Sequence, residues 1–197
     1  GDFINSETIF DDFRRRFGRS AYLEDAEYMY AMGFYFSSPG PERDQTATLR
    51  AITAINEYLG RYPDSPKKEQ CEQRLDELQN KLYDQAYLNA MTYLKIGYHQ
   101  SAVLALKNAL DKYPRSPHRE ELLFRILEAN YEYASNSRAA RQVDRYLNTL
   151  DAYYNLIAEY PESEFRREAD RMYNTAKRYL DRRGVDTEQV GEEQEEL

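Results

Sequence analysis

The sequence contains one cysteine, two histidines and no tryptophan among its 197 residues. The lone thiol of Cys71 excludes an internal disulfide framework and a cysteine-based zinc site, because both need several cysteines. We expect His99 and His118 to have surface or helix-capping roles rather than to bind a metal. The glycine-rich phosphate loop and the HExxH and GxSxG motifs are also missing. The sequence therefore predicts a protein that is not an enzyme and that holds no cofactor or metal.

The sequence also lacks an excess of basic residues and any long apolar run. The chain has 27 lysines and arginines against 35 acidic residues, a net charge of −8. This balance argues against a nucleic-acid binder, because such proteins neutralise phosphates with a basic surface. No stretch approaches the about 20 consecutive apolar residues that span a bilayer.

What the sequence does contain is a recurring four-residue turn sequence: an aromatic residue, proline or glycine, any residue, and serine. It occurs at residues 17–20, 62–65, 113–116 and 160–163, at intervals of 45, 51 and 47 residues. Proline ends a helix, since it has no N–H to donate and forces the preceding residue out of the α conformation. Internal periods of about 20–50 residues are typical of stacked helical repeats.

The stretch from residue 90 to residue 117 predicts one complete helical hairpin around Gly97. Small and apolar residues recur there at helical spacing on both sides of the glycine: Ala90, Tyr93, Leu94, Ala102, Leu106, Ala109, Leu110 and Tyr113. Ser116 and Pro117 are predicted to begin the next helix as its N-cap and first residue. The spacing resembles the tetratricopeptide pattern, whose usual period is about 34 residues. The prediction is an all-α, tetratricopeptide-like, right-handed solenoid of stacked hairpins with longer helices than usual.

We expect one repeat domain over residues 1–183, with hairpins punctuated at Gly18, Pro63, Pro114 and Pro161. Loops are predicted at residues 37–45 and 135–138, and one long helix at residues 67–96. On that helix Cys71 is expected to pack as a small buried hydrophobe. Residues 184–197 hold six acidic and no basic residues and predict a disordered acidic tail.

The first hairpin is expected to lack its first helix, because residues 1–3 resemble a turn between two helices. We therefore interpret the chain as a fragment of a longer precursor, and the lack of a visible targeting signal carries little weight.

Aromatic residues on two predicted helices form the first candidate binding surface. Tyr30 and Tyr35, followed by Tyr87, Met91 and Lys95, are expected to face a concave groove that binds a peptide. Rigid rings with a polar tip bury a large area at low entropic cost, which suits recognition. Packing between helices is the alternative role of these tyrosines.

The last helix is the second candidate surface. Residues 164–183 hold seven basic and four acidic residues, and Arg166, Arg167 and Arg171 are the predicted docking face for an acidic partner. The alternative is that basic residues compensate the dipole at a helix C-terminus and keep its surface solvated.

Three stretches carry a family resemblance: residues 20–29, residues 38–46 with Ala51 and Ile52 after them, and residues 151–163. They resemble the BamD family, the lipoproteins of the outer-membrane β-barrel assembly machinery, and the resemblance covers about residues 1–181. It implies a non-enzymatic scaffold at the periplasmic face of the outer membrane, anchored by a lipidated cysteine upstream of Gly1. Cys71 is mid-helix and is not that cysteine.

The same resemblance implies two partners. The C-terminal repeats would bind the periplasmic domains of the barrel-forming subunit, and the N-terminal half would help to recognise unfolded outer-membrane proteins by their terminal β-signal. Two alternatives stay open. One is another tetratricopeptide scaffold of the cell envelope or a cytoplasmic co-chaperone, and the other is an enzyme accessory domain or a helical enzyme with its site in the groove.

Overall fold

The computed structural model describes residues 3–187, with side chains from residue 8 onward, and this part of the chain contains helices and no strand. The helices are α1 (Phe3–Arg16), α2 (Leu23–Ser37), α3 (Thr46–Arg61), α4 (Lys68–Lys95), α5 (His99–Lys112), α6 (Arg119–Ser135), α7 (Ala139–Glu159) and α8 (Arg166–Arg182). The predicted all-α, tetratricopeptide-like fold class is confirmed. The predicted loops and the single long helix are also found within a few residues of their expected bounds.

The four turn sequences adopt one common hydrogen-bonded structure. In each copy the N–H of the aromatic residue ends the preceding helix by donating to a carbonyl four residues earlier. The serine N–H then donates to the carbonyl of the aromatic residue, at 2.9–3.2 Å. The serine Oγ accepts from the N–H two residues later at 3.2 Å, and the serine carbonyl accepts from the N–H three residues later at 3.0–3.1 Å. One serine therefore links the end of each helix to the start of the next.

This turn corrects the predicted N-terminus of α6. The helix begins at Arg119 with His118 as its N-cap, two residues later than the predicted start at Pro117. The reason is that Ser116 is engaged in the turn itself, with its Oγ bound to the N–H of His118 and its carbonyl bound to the N–H of Arg119.

The chain divides into two compact units, Gly1–Gln85 and Ala86–Leu197, and the boundary falls within α4. In the first unit α2 packs against both α1 and α3. Its core consists of buried residues from α2, α3 and the first half of α4: Ala31, Met32, Ala51, Ala54, Ile55, Tyr58, Cys71 and Leu78. Cys71 is fully buried among them, as predicted, and burial raises the pKa of its thiol.

In the second unit α6 is the central element and contacts α5, α7 and α8. Its core includes Leu106 from α5, Leu122 and Leu127 from α6, and Leu156 from α7. A smaller cluster joins α7 to α8 through Leu150 and Leu180. The rings of Phe124 and Phe165 stack across this unit at 4.5 Å.

Both chain ends extend beyond the described residues. The predicted interhelical turn at residues 1–3 lies largely outside them, and so do residues 188–197 of the predicted acidic tail. Within residues 184–187, Gly184 has a φ of 69°, Val185 packs against the cluster between α7 and α8, and Thr187 is buried. The single repeat domain over residues 1–183 and the disordered tail stay predictions. Among the described helices, none has both the length and the apolar composition to cross a membrane.

Two leucines on α5 test how much the core of the second unit contributes to stability. Leu106 is fully buried, whereas Leu104, two residues away, is 62% exposed. We expect Leu106→Ala to lower the free energy of unfolding by about 2–5 kcal/mol, because it removes buried apolar area and leaves a cavity. The matched Leu104→Ala should change it by no more than about 0.5 kcal/mol. Urea denaturation followed by circular dichroism measures both, and equal losses would contradict the assigned packing.

Candidate functional site

A cleft of about 530 Å³ opens in the first unit between α1, α2 and α3. Tyr30 and Phe34 of α2 contribute its aromatic surface, with their rings 5.0 Å apart and edge to face. Leu49 of α3 adds an apolar side chain that is 54% exposed. Arg14 of α1 places its guanidinium 4.0 Å from the centroid of the Tyr30 ring, and Arg50 of α3 also lines the cleft. We call this surface the α1–α3 cleft; it combines apolar area with a charged rim.

Tyr35 lies on a different side of α2, in contact with the first half of α4. Its hydroxyl donates to the carboxylate of Glu77 and accepts from Nη1 of Arg74 at 2.9 Å, while the Arg74 guanidinium lies 4.7 Å from the ring centroid. Burial and the hydrogen bond to Glu77 raise the pKa of the Tyr35 hydroxyl. The hydrogen bond from Tyr35 and the charge of Arg74 lower the pKa of the Glu77 carboxyl.

The structure therefore does not bring Tyr30 and Tyr35 together on one surface. Side chains five positions apart on an α-helix point in directions that differ by about 140°, because each residue adds about 100°. Tyr30 lines the α1–α3 cleft, and Tyr35 is held by two charged residues of α4.

The other three groove candidates belong to the second unit. Tyr87 is half-buried, stacks on the His118 ring at 4.5 Å, and is hydrogen-bonded to Glu121. Burial, followed by that hydrogen bond, raises the pKa of the Tyr87 hydroxyl. Met91 is half-buried and Lys95 is exposed, and their spacing of four residues places all three along one side of α4. That Tyr87, Met91 and Lys95 bind a peptide stays a prediction.

Most other tyrosines of the second unit pack between helices. Tyr153 of α7 stacks on Tyr173 of α8 at 4.3 Å, and the hydroxyls of Tyr154 and Tyr173 are 3.0 Å apart. Burial raises the pKa values of Tyr153 and Tyr154 to about 12. These rings support the interpretation that packing accounts for much of the tyrosine content.

The predicted docking residues of α8 differ in their availability. Nε of Arg166 donates to Asp170 at 2.9 Å, and its Nη1 donates to the carbonyl of Pro161 at 3.0 Å, so Arg166 is engaged within the unit. Arg167 and Arg171 are exposed and form no ion pair within the described part of the chain.

The exposed face of α8 carries more arginine than the sequence analysis assigned to docking. Helical spacing places four exposed arginines along one line, opposite the buried Ala169, Met172, Ala176 and Leu180. These four are Arg167, Arg171, Arg178 and Arg182, and we call them the arginine stripe. Fifteen residues of helix separate its ends by about 22 Å. Arg178 and Arg182 could have been assigned to this face from the sequence, because the four arginines follow an i, i+4, i+11, i+15 spacing.

Stacked helical hairpins joined by a common turn define a helical repeat protein of the tetratricopeptide type. A family model described as YfiO, outer membrane lipoprotein, matches residues 1–146. The chain belongs to this YfiO family of outer membrane lipoproteins. It is also similar to the outer membrane protein assembly factor BamD of Caulobacter vibrioides, with 27% identity over 116 residues. That match covers 59% of this chain but only 38% of the relative's length. The resemblance to the BamD family is confirmed, and α8 lies outside the residues that the family model matches.

The contact between Tyr35 and Glu77 gives a test of electrostatics on the α2–α4 face. In Tyr35→Phe the donor to Glu77 is lost, so we expect the pKa of the Glu77 carboxyl to rise toward its ordinary value. A carboxyl whose pKa is lowered by folding adds stability above its unfolded pKa and loses that stability as pH falls through its folded pKa. The variant should therefore lose less stability than the parent on acidification.

NMR titration of the Glu77 carboxyl measures this change. Tyr22→Phe is the matched control, because that ring is exposed and the control should leave the Glu77 pKa unaltered. If the pKa of Glu77 is the same in Tyr35→Phe and in the parent, Arg74 sets it without help from Tyr35.

Proposed function

We propose that this chain is a protein-binding scaffold in the assembly of outer-membrane proteins and that it catalyses no reaction. The observation that carries the proposal is the family match over residues 1–146, together with the name of the similar BamD protein as an assembly factor. The precursor would be held at the periplasmic face of the outer membrane by a lipid anchor, in keeping with the family's description as outer membrane lipoproteins.

The contacts of Glu77 and Glu159, two of the carboxylates whose pKa values are lowered, support a non-catalytic role. Glu77 is bound by Tyr35 and Arg74, and Glu159 at the end of α7 is bound by Arg119 at the start of α6. In both cases the lowered pKa follows from hydrogen bonds that hold helices together. A catalytic acid or base needs a pKa close to the working pH, and these contacts move the carboxyl pKa further from neutrality.

We propose that the α1–α3 cleft is the part of the first unit that receives unfolded outer-membrane proteins. Its exposed apolar side chain, Leu49, and its half-buried rings, Tyr30 and Phe34, suit the aromatic and aliphatic side chains of an extended segment. Arg50 in the same lining suits an acidic or carboxyl-terminal group on the segment, whereas Arg14 is already paired with Asp11 and Glu57 adds one negative charge.

We propose the arginine stripe as the docking surface for the periplasmic domains of the barrel-forming subunit. Long-range attraction between such a stripe and an acidic surface speeds encounter and fixes orientation, and it weakens as salt increases. The stripe takes the place of the predicted set Arg166, Arg167 and Arg171, since Arg166 is already paired with Asp170.

Replacing Leu49 with serine tests the cleft. Because Leu49 is largely exposed in the free protein, the change should leave the fold intact and remove apolar contact area for a bound segment. We expect the Kd for a labelled peptide carrying a terminal β-signal to rise about tenfold, since burial of a leucine side chain contributes about 1.5–3 kcal/mol. Fluorescence anisotropy measures the Kd. Leu104→Ser, which lies on the exposed side of α5, is the matched control, and equal losses in both variants would rule out the cleft.

Charge reversal tests the arginine stripe. The double variant Arg171→Glu, Arg178→Glu should weaken capture of the purified periplasmic domains by at least about tenfold and should flatten the dependence of the Kd on salt. Arg138→Glu, Arg141→Glu changes the net charge equally at exposed positions near the start of α7 and should keep the parental Kd. If the control variant loses as much affinity as the stripe variant, the effect is one of net charge and the docking assignment fails.

A further inference from the structure

A second cleft, of about 360 Å³, lies in the second unit where the α4–α5 turn approaches the α6–α7 turn. Its lining combines polar and aromatic side chains and includes Tyr98, His99 and Ser101 around the start of α5, together with Tyr133 and Arg145. We call it the Arg145 cleft. None of these residues belongs to the α1–α3 cleft or to the arginine stripe.

Arg145 is a half-buried cation without a counter-charge. Its guanidinium lies 3.6 Å from the centroid of the Tyr133 ring. Its Nη2 donates to the Tyr133 hydroxyl at 2.7 Å, and its Nη1 donates to the Ser137 hydroxyl. Both acceptors are neutral, and within the described residues no carboxylate pairs with this arginine.

The other half-buried arginines of the described chain all have carboxylate partners. They are Arg14 with Asp11, Arg74 with Glu77, Arg119 with Glu159, Arg125 with Glu121 and Glu128, and Arg166 with Asp170. Removing a cation from water is costly unless an anion compensates it. Among the half-buried arginines that the structure describes, Arg145 therefore differs from the others in having no carboxylate partner.

His99 lines the same cleft and has an unusual ring nitrogen. Its Nδ1 atom is buried and has no hydrogen-bond partner. Buried polar atoms are nearly always hydrogen-bonded, but a ligand in the open cleft does not reach a buried atom, so the case for a ligand rests on Arg145 and on the helix N-terminus beside it. His99 also begins α5, so the N–H groups of the first helical turn beside it have no acceptor within the helix and favour a negative group.

We propose that the Arg145 cleft binds a single carboxylate group carried by a polypeptide segment. A guanidinium has five N–H donors, of which two are used by Tyr133 and Ser137, so donors remain for a carboxylate. One cation matches a monoanion better than a phosphate, which carries more charge. Tyr98 at the cleft is 64% exposed and offers a ring for packing against the chain that carries the carboxylate.

NMR titration of the ¹⁵N-labelled chain tests the proposal with N-acetyl-glutamate amide, which carries one side-chain carboxylate. Saturable shifts of the Gln100 and Ser101 amides are expected. The neutral analogue N-acetyl-glutamine amide should produce none. Equal shifts with both compounds, or no saturable shift at millimolar ligand, would overturn the proposal.

Two further ligands separate the possible sources of the carboxylate. A short peptide with one central glutamate is expected to bind at least tenfold more tightly than acetate, which assigns the site to polypeptide. Acetate binding as tightly as the peptide would overturn that assignment.

Arg145→Gln keeps hydrogen-bonding groups but removes the charge, so it should abolish the shifts. Arg141→Gln, one helical turn earlier and exposed, should bind as the parent does. If Arg145→Gln fails to fold, Ser101→Glu replaces it, because a carboxylate in the first turn of α5 is favourable there and should occupy the cleft. Retained binding in the folded Arg145→Gln or Ser101→Glu variant would contradict the proposal. This outcome is independent of the assembly role, since the cleft shares no residue with the surfaces proposed for it.

Discussion

The serine-centred turn is the constraint on which the helical hairpins depend. Each copy satisfies backbone groups that a helix end would otherwise leave unpaired, and it does so with one side-chain oxygen and local backbone contacts. In the first unit Ser65 is also tied to its neighbours, since its Oγ donates to Glu24 of α2 at 2.7 Å and lies 2.6 Å from the Tyr58 hydroxyl. The turn thus sets the direction of the next helix and fastens it to the preceding hairpin. Helix lengths can vary between copies because the joint itself does not change.

Charged side chains play a secondary part in holding these hairpins together. Exposed ion pairs contribute little to stability, so pairs such as Arg166 with Asp170 mainly fix orientation. The apolar clusters of each unit contribute more to the free energy of folding, because the hydrophobic driving force increases with the apolar area that is buried. This division leaves the outer faces free to vary in charge. The arginine stripe is a row of exposed cations on one face of α8. Arg145 differs from it, because the other half-buried arginines that the structure describes all have carboxylate partners.

The hairpins, the long α4 and the burial of Cys71 could be predicted from spacing and punctuation alone. The contacts of individual side chains could not be predicted, because they depend on which neighbouring helix packs against each side of a helix. Tyr30 and Tyr35 were grouped by residue type, yet their separation along α2 sends them to different contacts. The Arg145 cleft could not be predicted from the sequence either, because only folding brings the start of α5 close to the α6–α7 turn. Ser116 was assigned to helix capping because the same residue types serve caps and turns.

The burial of the single thiol has a practical consequence. Cys71 sits in the core of the first unit with no exposed surface, so reagents that modify thiols can reach it only when that unit opens. The rate at which this native thiol is modified therefore measures opening of residues 1–85 alone, and no engineered cysteine is needed. A cysteine placed on the outer surface could likewise be labelled selectively in the folded protein, because the native thiol is shielded.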